Sequence, residues 1–117
     1  MARDRILRTT VFRPPADPGW QPLLDIYELR DGWLLKVDVA GVRPEDISIV
    51  LDGRFVTIRG VRRDWALEEG CCQYRMEISY SRFERTVELP AVLDPRSVRT
   101  ELKDGMLLVR VRREAAS

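Results

Sequence analysis

The residues that could do chemistry in this chain are few, and their types exclude most familiar catalytic sites. The sequence contains no histidine, which excludes histidine general bases, histidine-based triads and histidine metal ligands. Its serines therefore have no histidine to activate them, and neither a P-loop nor a G-x-G-x-x-G stretch is present. Carboxylates such as Asp25, Asp38 and Asp52 fall mostly at predicted turns or on outward strand positions, where solvated charge explains them. We predict that the protein is not an enzyme and uses no cofactor and no metal.

Cys71 and Cys72 are the two cysteines of the chain. Two thiols alone complete neither a zinc site nor a disulfide framework. A disulfide between neighbours is strained, because adjacent Cα atoms lie only about 3.8 Å apart. Two interpretations stay open: small hydrophobic residues at the start of a strand, or a redox-sensitive contact between subunits. The second requires an exposed thiol near a symmetry axis.

The overall composition indicates one globular domain. The chain has 117 residues, of which 44% are hydrophobic, enough to bury a core without staples. Its 20 basic and 19 acidic residues nearly cancel, to a net charge of +1, which argues against a nucleic-acid partner and against bulk disorder. No apolar run is long enough for a membrane span, and Met1–Arg13 lacks the apolar centre of a secretory signal. We therefore expect a cytoplasmic protein.

Short strands with alternating hydrophobicity follow one another along most of the chain. Trp33–Ala40 places every second side chain on an apolar face, which is typical of a half-buried strand. Asp52-Gly53 and Asp104-Gly105 are hairpin signals, and turn signals recur roughly every 8–12 residues, the spacing of an antiparallel sandwich. We predict an all-β, antiparallel immunoglobulin-like β-sandwich of about eight strands. The predicted strands are Leu24–Leu29, Trp33–Ala40, Ile47–Leu51, Phe55–Val61, Gln73–Tyr80, Phe83–Leu89, Val98–Lys103 and Met106–Arg112.

The ends of the chain differ from this strand-rich body. Arg13–Trp20 contains three prolines and a glycine, so it can hold neither a helix nor a central strand. We predict a short mobile N-terminal arm over residues 1–20, the sandwich domain over 21–113 and a short C-terminal tail over 114–117.

Arg85 breaks the hydrophobic pattern of its predicted strand, where it shares a face with Phe83 and Val87. A charge on an apolar face is costly unless it is paired. The pattern leaves two interpretations open: the guanidinium reaches water at a sheet edge, or it meets a carboxylate of a partner subunit.

Five segments, in unbroken order, resemble the small heat shock proteins. Leu24–Glu28 resembles their V-D-I-Y-E segment, and Val39–Ile47 resembles L-P-G-V-x-x-E-D-I. Val56–Gly60 is similar to L-T-I-x-G, Tyr74–Pro90 to Y-x-x-E-x-x-x-G-x-F-x-R-x-x-x-L-P, and Asp104–Leu107 to D-G-V-L. The segments stand at the family's spacing over about Pro22–Arg112, so the chain resembles an α-crystallin domain.

The resemblance implies an ATP-independent holdase chaperone that binds unfolding client proteins under stress. It implies a client groove between two strands and further client contacts from the N-terminal arm. The groove residues would be Ile47, Ile49, Leu51, Val98, Thr100 and Leu102, and the arm contacts Ile6, Leu7, Phe12 and Trp20. A different interpretation is an adaptor or co-chaperone that docks one specific partner, like the CS-domain co-chaperones, whose sandwich is similar.

The resemblance also implies a dimer that exchanges a strand carried on the loop after the L-T-I-x-G strand, here about Arg62–Tyr74. The interface residues would be Trp65, Cys71, Cys72, Tyr74 and Arg85. Ala40, Ser81 and Thr100 depart from the family pattern, and the family's I-x-I/V tail motif is not found. We therefore expect a homodimer, a small homo-oligomer or a hetero-oligomer rather than a large cage, with a groove open to a partner's tail or a client.

Overall fold

The computed structural model describes residues 19–65 and 68–115. Ile6, Leu7 and Phe12, three of the predicted arm contacts, lie outside these residues. The described part contains seven β-strands and two short 3₁₀ turns, at Pro44–Asp46 and Pro95–Ser97, and no α-helix. The strands are β1 (Leu24–Glu28), β2 (Gly32–Asp38), β3 (Ile47–Asp52), β4 (Phe55–Val61), β5 (Arg82–Glu88), β6 (Arg99–Lys103) and β7 (Met106–Arg112).

The strands form two antiparallel sheets, which confirms the predicted all-β sandwich. One sheet has four strands in the order β1-β2-β7-β6, and the other has three in the order β3-β4-β5. The tight turn between β6 and β7 uses Asp104 and Gly105, whose φ angles of 53° and 78° are both positive. Such a turn matches the twist of the flanking strands, which explains why Asp-Gly was informative in the sequence.

The core lies between the inward faces of the two sheets. The alternation along each strand produces it: β2 contributes Leu35 and Val37, β4 contributes Val56 and Ile58, and all four side chains are fully buried. Several apolar residues of β3 and β6 are only partly buried against this core. The apolar surface therefore continues from the core to the two edge strands.

Gly60 allows three strands to approach each other closely at the end of β4. A Cβ atom built on Gly60 would lie 2.5 Å from the carbonyl oxygen of Asp46 and 2.5 Å from Cζ of Phe83. Only a residue without a side chain fits there. The glycine of the L-T-I-x-G-like segment therefore has a packing role.

The prediction of a strand over Gln73–Tyr80 is wrong for this chain on its own, so there are seven strands rather than about eight. Every residue of this segment is exposed, and within the described ranges no strand pairs with it. Its alternating side chains suit a strand, but a strand also needs a neighbour for its backbone hydrogen bonds.

The described part of the chain contains no helix that is long and apolar enough to cross a membrane.

Candidate functional site

A groove runs between the free edges of the two sheets. β3 is the edge strand of one sheet and β6 is the edge strand of the other. A cavity of about 190 Å³ lies between them and is lined by Pro44, Ile47, Ile49, Thr100, Glu101, Leu102 and Leu107. Four of the six residues that the family resemblance assigns to a groove therefore line this cavity: Ile47, Ile49, Thr100 and Leu102. Leu51 and Val98 do not line the cavity.

The groove offers a mixture of apolar side chains and unpaired backbone. Leu107 is buried beneath it, while Ile47, Ile49 and Leu102 are half-buried and rest on the core. An edge strand presents backbone N–H and C=O groups that a second chain can pair with. The arrangement suits an extended segment that adds to an edge strand and inserts every second side chain between the sheets.

Arg85 is satisfied within its own chain, by a partner that the sequence did not suggest. The residue is half-buried on β5, opposite Ile58 of β4. Its Nη1 donates a hydrogen bond of 2.7 Å to the carbonyl oxygen of Pro22, 63 residues earlier. This bond ties the segment before β1 to β5. A contact with a partner subunit stays a prediction for the remaining N–H groups of the guanidinium.

Arg62 holds together three segments that are distant in sequence. Its Nε donates to the carbonyl oxygen of Ser79 at 2.8 Å and its Nη1 donates to the carbonyl oxygen of Ala40 at 3.3 Å. The guanidinium carbon also lies 3.6 Å from the centroid of the Trp20 ring. Arg62 therefore fixes the start of the described chain and the end of the long β4–β5 connection against the sandwich.

Trp20 packs on its own domain rather than standing free. Its ring meets Phe83 edge-on at 5.1 Å between centroids, and its backbone N–H donates to Oγ of Ser81 at 3.0 Å. Trp20 was predicted as a client contact. In the structure one of its ring faces is occupied by Arg62, so a client would reach only the remainder of the side chain.

The connection between β4 and β5 carries the residues predicted for the dimer interface. Arg43 covers the ring of Trp65, with its guanidinium carbon 3.2 Å from the ring centroid. Trp65 Nε1 is buried and finds no hydrogen-bond partner among the described residues. Cys71 and Cys72 are free and exposed, and Tyr74 is fully exposed. Four of the five predicted interface residues therefore lie together on this connection, apart from Arg85.

Gln73–Tyr80, which we call the exchange segment, presents an apolar row to solvent. Every second side chain of the segment is apolar, and the exposed fractions are 101% for Tyr74, 47% for Met76, 60% for Ile78 and 38% for Tyr80. The row spans four large side chains at the two-residue spacing of a strand. A surface of this kind is typical of a segment that is covered in an assembly.

The free edge of β1 is a second apolar surface, which the predictions from sequence do not include. β1 is the outermost strand of its sheet. Around it Leu23 is 77% exposed, and Ile26 and Tyr27 are each 43% exposed. The signal was available in the sequence, since β1 is a short apolar strand, but only the sheet order shows that it lies at an edge.

Two salt bridges between exposed side chains lie on the outer face of the β3-β4-β5 sheet. Arg54 and Glu88 approach to 3.1 Å, and Arg59 and Glu84 to 3.0 Å. All four side chains are at least half exposed, so each pair contributes little to stability.

Lys36 and Tyr27 form a charged contact on the outer face of the other sheet. A hydrogen bond with Tyr27, followed by electrostatic attraction to Tyr27 and Asp25, raises the pKa of Lys36 above its ordinary value. The Lys36 Nζ also lies 5.4 Å from the centroid of the Tyr27 ring. The contact links β1 to β2.

Comparison with known proteins agrees with this architecture. A family model described as Hsp20/alpha crystallin family matches residues 25–117. The chain is 33% identical over 90 residues to spore protein SP21 of Stigmatella aurantiaca, covering 77% of this chain and 53% of that protein. It is 40% identical over 96 residues to the 19.0 kDa class II heat shock protein of Oryza sativa, covering 75% and 55%. The chain thus spans about half the length of these relatives.

A solved structure shares this fold over almost the whole length of the solved chain. The crystal structure of hspA from Xanthomonas axonopodis matches with a TM-score of 0.70 and 28% identity. The match covers 84% of this chain and 98% of that one.

Proposed function

Since this chain belongs to the Hsp20/alpha crystallin family, we propose that it is a non-enzymatic chaperone of the stress response. It binds unfolding proteins without ATP and prevents their aggregation, and it acts in the cytoplasm. The single observation that carries the proposal is the apolar groove between the free edges of β3 and β6.

The groove suits what an unfolding protein exposes. Unfolding frees extended segments with apolar side chains and unpaired backbone groups. Such a segment adds to an edge strand and buries its side chains against Ile47, Ile49 and Leu102. Burial contributes about 25 cal/mol per Å² of apolar surface, before the cost of ordering the segment. No charged side chain demands a particular partner there except Glu101, so the binding is broad and weak.

We propose further that two copies pair through the exchange segment. Gln73–Tyr80 of one copy adds to the free edge of β1 of the other, so that its apolar row lies beside Ile26. This supplies the strand neighbour that the segment lacks in its own chain. The result is a homodimer, and it is the unit from which a larger homo-oligomer would grow.

The first experiment measures aggregation of a heat-labile enzyme by light scattering, with and without this protein and without ATP. We expect suppression at a near-equimolar ratio. The double variant Ile49→Glu/Leu102→Glu should lose most of this protection, because two charges in the groove repel apolar segments. Val50→Glu is the matched control, since Val50 lies next to Ile49 on β3 but is exposed, and it should protect like the wild type.

Circular dichroism of all three proteins at the assay temperature establishes that each is folded. Equal protection by the folded double variant would contradict the role of the groove. A folded wild-type protein that suppresses no aggregation, yet binds one partner saturably and one to one, would instead favour the adaptor function.

A further inference from the structure

Three sulfur-bearing side chains line one cavity on the β4–β5 connection, and the chaperone function uses none of their chemistry. The cavity has a volume of about 560 Å³, and its lining includes Cys71, Cys72 and Met76. Both thiols are free and exposed, and they are the only cysteines of the chain. Both thiols of the protein and one of its three methionines therefore border the same space.

The donor set decides which metal ion the cavity suits. Thiolate and thioether sulfurs are soft ligands, and soft ligands select Cu(I) over the hard divalent cations. Asp64 also lines the cavity, but no group of three or more histidine, cysteine, aspartate or glutamate side chains in the described chain is placed to hold a metal. Zinc normally takes four nitrogen, thiolate or carboxylate ligands, which these residues do not supply.

We propose that Cys71, Cys72 and Met76 form a three-coordinate Cu(I) site. Each cysteine binds as a thiolate, so a protonated thiol releases its proton to solvent when the ion binds, and copper stays Cu(I) throughout. The two thiolates and the ion together carry one negative charge. Asp64 and Arg75, of opposite sign, also line the cavity, so the other charged groups roughly balance. Trp65 and Tyr74 also line the cavity.

The test titrates the reduced full chain with Cu(I), under argon, in competition with a chromogenic Cu(I) chelator. We expect one tightly held ion per chain and an affinity that rises with pH, because the thiols must lose their protons. Cys71→Ser/Cys72→Ser should remove the site. Met76→Leu should weaken it about tenfold or more, since even outer ligand partners contribute that much. Met106→Leu is the matched control because Met106 lies on β7, away from this cavity, and it should bind like the wild type.

Two results would overturn the proposal. Wild-type affinity in Met76→Leu would show that methionine is not a ligand. A stoichiometry of one ion for two chains would show that cysteines of two copies share the ion instead.

The site has a consequence for assembly that rests on the proposed exchange dimer. Met76 belongs to the apolar row of the exchange segment, so it cannot bind copper and pack on a second copy at the same time. Copper should therefore weaken the dimer about fivefold or more, as measured by sedimentation, and should have no effect on Cys71→Ser/Cys72→Ser. An unchanged dimer with copper bound overturns this coupling. A chain that binds copper but never dimerises keeps the site and overturns the exchange dimer.

Discussion

Arg85 shows how one residue can be stabilised from a distant part of the chain. Its hydrogen bond to the carbonyl oxygen of Pro22 is partly buried, so removing the guanidinium leaves that carbonyl without its partner. We expect Arg85→Ala to lower the free energy of unfolding by about 1–2 kcal/mol, as measured by urea denaturation. Arg82 is exposed on the same strand, and Arg82→Ala should change it by less than about 0.5 kcal/mol. If Arg85→Ala kept full stability and only dissociated a dimer, the interface interpretation would replace this one.

For single residues, the sequence predicts which face of a strand a side chain lies on better than it predicts which other residue that side chain contacts. Alternation alone places Arg85 on the inward face of its strand. The groove residues Ile47, Ile49, Thr100 and Leu102 could be predicted only with the help of the family resemblance. Alternation gave no sign that Arg62 covers Trp20 or that Arg43 covers Trp65. Those contacts join residues far apart in the chain, and nothing local in a sequence encodes which arginine reaches which ring.

The strands form where local hydrophobic alternation and turn residues favour them. Gly60 shows that the packing of one strand against its neighbours also constrains the sequence. A side chain there would collide with the backbone of Asp46 and the ring of Phe83, so β3, β4 and β5 would have to move apart. We expect Gly60→Ala to destabilise the fold by about 1–3 kcal/mol, the usual cost of overpacking, as measured by thermal or urea unfolding. Ser48→Ala, an exposed change on β3, serves as the control. A Gly60→Ala protein as stable as the wild type would mean that the sheet relaxes easily at this point.

The eight predicted strands also show what one sequence cannot predict, namely whether each strand has a neighbour in the same chain. Seven predicted strands are present because each has both the alternation and a neighbour in the same chain. The eighth, Gln73–Tyr80, has only the alternation. Periodicity describes which side of a strand is apolar, but it cannot tell whether the neighbour that would complete the strand belongs to the same molecule.

For the whole molecule, the two unpaired apolar surfaces are the strongest argument for assembly. The exchange segment and the free edge of β1 are both apolar and exposed. The exchange segment has no neighbouring strand, and β1 has a free edge to which a strand can add. Pairing them between two copies would cover apolar side chains of both surfaces at once. Pairing within one chain is not what the structure shows, since the contacts of Arg62 hold Ser79 next to Ala40.

Exchange therefore predicts that a charge in the apolar row weakens the dimer without unfolding the chain. Ile78 is 60% exposed in the single chain, so Ile78→Asp should leave the unfolding midpoint of a dilute sample unchanged. In the dimer the same carboxylate would be buried against β1 of the other copy, at a cost that should raise the dissociation constant at least tenfold. Ser79→Asp adds the same charge one residue later, on the opposite side of the segment, and should raise it much less. Sedimentation velocity over a concentration series measures all three proteins. If both variants weakened the dimer equally, the effect would come from net charge, and the apolar row would not be the contact.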